Sequence, residues 1–176
     1  RLTRAEFREG ASVIGDYAFA ALDGTDLLPM PYLAEVIVSS TVKAIGAYAF
    51  AGNTAMTSID LSGVEYIDSH AFYQATALTE VTLDASAAYI GVSAFEESGV
   101  KDIELSGVEY FDARSFYGTA ISNTDFTDAI EIGDNAFYNC LNIAGTVRLP
   151  NAVQIYGGAF YVPESPPSTA VTGNIT

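Results

Sequence analysis

The sequence predicts an α/β repeat solenoid. It is a right-handed coil of about seven repeats of 21–23 residues, with a parallel strand stack and short helical or 3-10 turns carrying the chain back. Two signatures and their spacing predict it. The first is Ile-(Gly/Asp)-x-x-(Ala/Ser)-Phe, which begins Ile14-Gly15-Asp16-Tyr17-Ala18-Phe19 and recurs at Ile45–Phe50, Ile67–Phe72, Ile90–Phe95, Phe111–Phe116, Ile132–Phe137 and Ile155–Phe160. Successive Phe residues lie 31, 22, 23, 21, 21 and 23 positions apart. The second is an alternating apolar run about eight to ten residues after each Phe, as in Leu78-Thr79-Glu80-Val81-Thr82-Leu83. Its period of two marks a strand with one buried face.

Each element follows from these runs. The strand turns its Ile, Val and Leu inward, and the chain bends at Gly or Asp. A short helical turn, with Gly or Asp as its N-cap, then brings Ala-Phe across the interior. Stacking the coils puts strand on strand at about 4.8 Å, with the Phe side chains as a continuous spine. Residues 1–162 form the solenoid, and the first repeat carries an insertion at about 21–32. Insertions in solenoids map to loops on one face, as a binding loop or an edge cover. Residues 163–176 read as a Pro/Ser/Thr-rich linker or tail.

Bulk properties narrow the function. Seven Lys and Arg face 22 Asp and Glu, a net charge of −15. Phosphate backbones and anionic membranes are repelled, so nucleic acid is not an expected partner. No apolar run approaches a membrane span, so no membrane insertion is expected within the chain. Cys140 is the single cysteine and cannot form an internal disulfide; a small buried residue is its expected role. The chain opens without an initiator Met, which reads as a fragment or mature form.

Together the two signatures resemble the BspA-like leucine-rich repeats (LRR), whose units run Leu-x-x-Ile-x-Ile-Pro and then Val-x-x-Ile-Gly-x-x-Ala-Phe-x-x-Cys. The match spans roughly residues 13–161. Leu149-Pro150 reproduces the strand-ending proline once and Cys140 the cysteine once, while the other copies lack that Cys. The resemblance implies a secreted or surface-anchored protein of bacteria or some protozoa, acting in adhesion, and it brings no catalytic residues.

Repeat registration selects two candidate surfaces. The outward strand face aligns Glu35, Asp60, Glu80, Asp102, Glu104 and Asp125 in an acidic stripe suited to a basic protein segment. Two rows of tyrosine accompany it. Tyr66, Tyr89 and Tyr110 precede the repeat Ile, whereas Tyr73, Tyr117 and Tyr138 follow the repeat Phe. Such rings give rigid contact area with a polar tip. The competing reading makes both features solvated edges. No metal site is expected, since Asp23-Gly24-Thr25-Asp26 is only a fragment of a calcium loop. His70 is the sole histidine, at a variable repeat position, and no catalytic or cofactor motif occurs. The expectation is a non-catalytic extracellular or cell-surface module without cofactors that binds a protein, possibly a host or basic one. Carbohydrate binding is the alternative, and a structural spacer a third.

Overall fold

A computed structural model describes residues 1–24 and 26–163 of the chain. The expected tail lies, apart from Pro163, outside the described residues. In chain order the strands are β1 (Arg4–Glu6), β2 (Val13–Ile14), β3 (Ala21–Asp23), β4 (Asp26–Leu28), β5 (Glu35–Ile37), β6 (Ala44–Ile45) and β7 (Ser58–Asp60). They continue as β8 (Tyr66–Ile67), β9 (Glu80–Thr82), β10 (Tyr89–Ile90), β11 (Asp102–Ile103), β12 (Tyr110–Phe111), β13 (Glu131–Ile132) and β14 (Gln154–Ile155).

The chain is a parallel-strand β-solenoid with two ladders. One has seven strands, in the order β14-β13-β12-β10-β8-β6-β2, and pairs each repeat Ile, or Phe111 in its place, with its counterpart in the next coil. The other is built from the alternating runs. It comprises β11-β9-β7, the pair β1-β5, and a parallel bridge between Asp125 and Arg148. In this second ladder Ile59, Val81 and Ile103 point inward, while Ser58, Asp60, Glu80 and Asp102 face solvent, as period-two patterning requires.

Between the ladders lies the phenylalanine spine. Phe19, Phe50, Phe72, Phe95, Phe116, Phe137 and Phe160 stack in sequence with centroids 5.0–5.5 Å apart and interplanar angles of 12° or less. The small residue before each Phe is buried in six of the seven copies, from Ala49 to Ala159, which lets backbones come close.

The expected helical turns are not there, and this corrects both the α component of the fold class and the N-cap role of Gly and Asp. No helix occurs among the described residues. After each Gly or Asp the amides alternate between two kinds of partner. Tyr48, Phe50 and Gly52 donate to Ser69, Ala71 and Tyr73 of the next coil, at 2.8–3.0 Å. The amides between them, those of Ala49, Ala51 and Asn53, bond back three residues at 3.2 Å. The reason is backbone handedness. The fourth motif residue sits in the left-handed region in every copy, from Tyr17 (φ 55°) through His70 (φ 58°) to Gly158 (φ 70°), and Gly52, Gln74, Glu97, Gly118 and Asn139 repeat this four residues later. A right-handed helix cannot pass through such residues. Gly at the second motif position instead answers close approach, since a Cβ on Gly133 would lie 2.6 Å from the Ala113 nitrogen.

The insertion contains a hairpin. β3 and β4 pair antiparallel. The segment is seated on the following coil, where the Met30 amide donates to the Gly52 carbonyl at 2.7 Å and the Asn53 side chain reaches the Phe19 carbonyl at 3.2 Å. No helix is long and apolar enough to cross a membrane among the described residues.

Candidate functional site

Three surfaces emerge once coils are stacked. On the second ladder, Glu35, Asp60, Glu80, Asp102, Glu104 and Asp125 are all exposed. Register places Glu80 directly beside Asp102 on one flank and Ser58 on the other, so two carboxylates adjoin there. Others have local work. Asp60 accepts the amide and hydroxyl of Ser62 at 2.9 and 2.6 Å, Glu104 accepts the Ser106 amide at 3.0 Å, and Asp125 accepts the Thr127 hydroxyl. Arg4 pairs with Glu35 at 2.9 Å and Lys101 with Asp102 at 3.5 Å. Those pairs are solvent-exposed and therefore weak.

The tyrosine rows are real stacks in part. Tyr66 and Tyr89 lie face to face at 4.4 Å and 1°, and Tyr110 shares the Tyr89 register. Tyr117 and Tyr138 stack at 4.8 Å and 1°. Tyr73 is separated from that second row by buried Glu96, which takes the intervening position. The Tyr89 hydroxyl donates to Asp112. Burial, followed by that hydrogen bond and the Asp112 charge, pushes its pKa well above the usual phenol range. Burial and the nearby Asp68 raise that of Tyr66. Both phenols stay protonated donors at neutral pH.

The third surface joins the hairpin to an aromatic column. Tyr17 stacks on Tyr48 at 5.0 Å, and Tyr48 on His70 at 4.5 Å. Facing them across a groove of about 940 Å³ are Leu22, Gly24, Asp26 and Leu27 of the hairpin, while Tyr73, Gln74, Ser93, Glu96 and Arg114 complete the lining. Arg114 is pinned at the far end. Its Nε donates to Glu96 Oε2 at 2.9 Å, a second guanidinium nitrogen bonds Oε1, and the group lies 4.0 Å over the Tyr117 ring. Burial alone would raise the Glu96 carboxyl, but hydrogen bonds from Arg114 and Ser93 and the Arg114 charge hold it below the ordinary range. Burial lowers the pKa of His70, so its imidazole is neutral at pH 7.

A sequence model of the BspA type leucine rich repeat region matches residues 29–144 in six copies. The chain belongs to the BspA-type leucine-rich repeat family. The fold is similar to that in a crystal structure of a leucine-rich repeat protein from Bacteroides ovatus ATCC 8483, with a TM-score of 0.63 at 22% identity, covering 90% of this chain and 46% of that one. A leucine-rich cell surface protein from Faecalibacterium prausnitzii A2-165 aligns at 17% identity with a TM-score of 0.37, over 92% of this chain and 51% of that one. The chain thus spans about half the length of either protein. No curated protein matches it.

In this BspA-type chain the position of the lone cysteine has a clear task. Cys140 is buried and donates to the Phe116 carbonyl of the preceding coil at 3.1 Å, while Asn53, at the same place, donates to the carbonyls of Phe50 and Phe19 at 2.9 and 3.2 Å. Burial raises the Cys140 pKa, which suits a structural thiol. Reading the sequence missed the groove. In the sequence His70 stands only at a variable position, yet Tyr17 and Tyr48 at that same motif position are the signal for a stacked column.

Proposed function

We propose that this chain is a non-catalytic protein-binding module of an extracellular or cell-surface protein, coiled right-handed in about seven units and serving adhesion or interaction. The observation that carries the reading is the solvent-exposed outward face of the second ladder, where Glu80 lies beside Asp102 and where Asp60 and Glu104 are also exposed. Such an array meets an extended basic surface at several points at once, and summed weak contacts give avidity and steering. Membership of the BspA-type repeat family supports the placement at the cell surface. A non-catalytic role fits the burial of Cys140 beside the Phe116 carbonyl and the lodging of His70 in a ring stack.

The geometry of the tyrosine rows favours protein over carbohydrate. Sugar rings stack on open aromatic faces, whereas Tyr66 with Tyr89 and Tyr117 with Tyr138 turn those faces on each other. What they offer is edges and hydroxyls, which suit hydrogen bonding to peptide. Surface plasmon resonance on immobilised proteins of high and low isoelectric point, and on oligosaccharides, tests this. Reversing Asp102 and Glu104 to Lys should weaken protein binding about tenfold or more. Sugar binding lost only with Tyr66, Tyr89 and Tyr110 all changed to Ala would instead establish the carbohydrate alternative, and a surface indifferent to both sets would leave a spacer.

A further inference from the structure

Resting on the protein-binding reading, we infer that the outward face of the longer ladder, from Tyr66 to Tyr110, receives a polyproline II segment of the partner with a lysine or arginine at every third position. The sequence duplicates one stretch there. Leu61-Ser62-Gly63-Val64-Glu65-Tyr66-Ile67-Asp68 recurs two coils on as Leu105-Ser106-Gly107-Val108-Glu109-Tyr110-Phe111-Asp112, with Phe111 for Ile67 as the one change. Burial accounts for Leu61, Val64 and Ile67 and for their counterparts. It does not account for the acids, because the coil between folds with Ala88 and Gly91 in the same two columns. Each copy thus displays an exposed tyrosine flanked in the chain by a Glu and an Asp: Glu65, Tyr66 and Asp68, then Glu109, Tyr110 and Asp112. Tyr66 lies close enough to feel both the Asp68 and the Asp112 charge.

Spacing selects the conformation of the occupant. The spine steps between the two copies, Phe72 to Phe95 and Phe95 to Phe116, are 5.0 Å each. Equivalent atoms of the copies therefore stand about 10 Å apart along the axis. A polyproline II segment repeats its face every three residues, about 9.3 Å, whereas a β-strand repeats its face at about 6.7 Å and misses the second copy. Polyproline II also keeps its carbonyls free for tyrosine hydroxyls, and aromatic-lined surfaces dock such segments. Its paired prolines fall over Tyr89, where Ala88 and Gly91 leave the middle coil low. Charge selects the residue at every third position. Glu131 adds a further carboxylate next to Tyr110 in the tyrosine column. Lys43, one coil before Glu65, pairs with it at 3.4 Å, an exposed contact worth little. Before Glu109 the same column offers Ala88 instead. A basic segment complements this face and an acidic one is repelled.

The probe is a fluorescein-labelled peptide, Lys-Pro-Pro-Lys-Pro-Pro-Lys, followed by fluorescence anisotropy in 0.15 M salt. Its control, Pro-Pro-Lys-Lys-Lys-Pro-Pro, has the same composition and charge but turns its lysines to different faces. The spaced peptide should bind about fivefold tighter than the clustered one or better. Glu65→Lys with Glu109→Lys should weaken it about tenfold or more, and Glu65→Gln with Glu109→Gln, which adds no repulsion, severalfold. Asp102→Lys with Glu104→Lys changes the net charge by the same amount on the other ladder and should leave it within about twofold, because exposed charges beyond a Debye length are screened. No binding of the spaced peptide, equal affinity for the two peptides, or equal losses in the two charge-reversed variants would overturn the inference. Whole basic proteins that still bind, and lose affinity with Asp102→Lys and Glu104→Lys, while the spaced peptide does not bind, would overturn it and leave the protein-binding reading in place. Failure of peptides and whole proteins alike would remove both.

Discussion

At the residue scale, one phenylalanine per coil carries the core. Phe50, Phe72, Phe95 and Phe116 are wholly buried, and each is sandwiched between its neighbours on both faces. Phe95→Ala should therefore cost about 3–5 kcal/mol in chemical denaturation, because flanking rings held by two ladders cannot collapse into the space. A loss under about 1 kcal/mol would show that the ring is not clamped. These positions were legible in the sequence, since burial repeats a side chain at a fixed interval. The left-handed residues were not. Gly52, Gly118, Asn135, Asn139 and His70 are residue types that favour that conformation, but Tyr48, Ser93 and Arg114 adopt it without any local preference for it. Inter-coil hydrogen bonds impose it, which is why a helical turn looked natural from sequence.

At the scale of elements, the strand run and the motif Ile behave differently under sequence reading. Alternation over Leu78–Leu83 identified β9 directly. The two-residue strands of the longer ladder, such as β10, are too short to show any period and became visible only through pairing. The hairpin could be located by the 31-residue interval but not shaped by it. Its seat is Gly52, where φ is +70° and an added Cβ would meet the Leu28 carbonyl at 2.9 Å and the Leu27 side chain at 3.3 Å. Gly52→Ala should cost about 2 kcal/mol or more and displace the hairpin. Gly145→Ala, at φ +87° with open space around it, isolates the backbone part of that cost. Equal losses in thermal or urea unfolding would mean that the hairpin does not press on Gly52.

At the scale of the molecule, repetition converts single residues into columns. A carboxylate on an outward strand face is a solvated side chain in one coil, and next to its neighbour it becomes part of a surface. The acidic ladder and both tyrosine rows could be listed by alignment of the repeats alone. Their distinction could not, because burial of Glu96 splits one row and turn-capping occupies Asp60, Glu104 and Asp125. The groove lies beyond sequence reading for the same reason, since it needs the hairpin and five coils together. Everything rests on coil stacking in register. Nuclear Overhauser spectroscopy with isotope-labelled phenylalanine reads that stacking most directly. The account predicts ring-to-ring cross-peaks linking Phe50 to Phe72, Phe72 to Phe95 and Phe95 to Phe116, whose centroids are 5.0–5.3 Å apart. Their absence, with sequential amide contacts of a helix through Ala47–Gly52 instead, would contradict it.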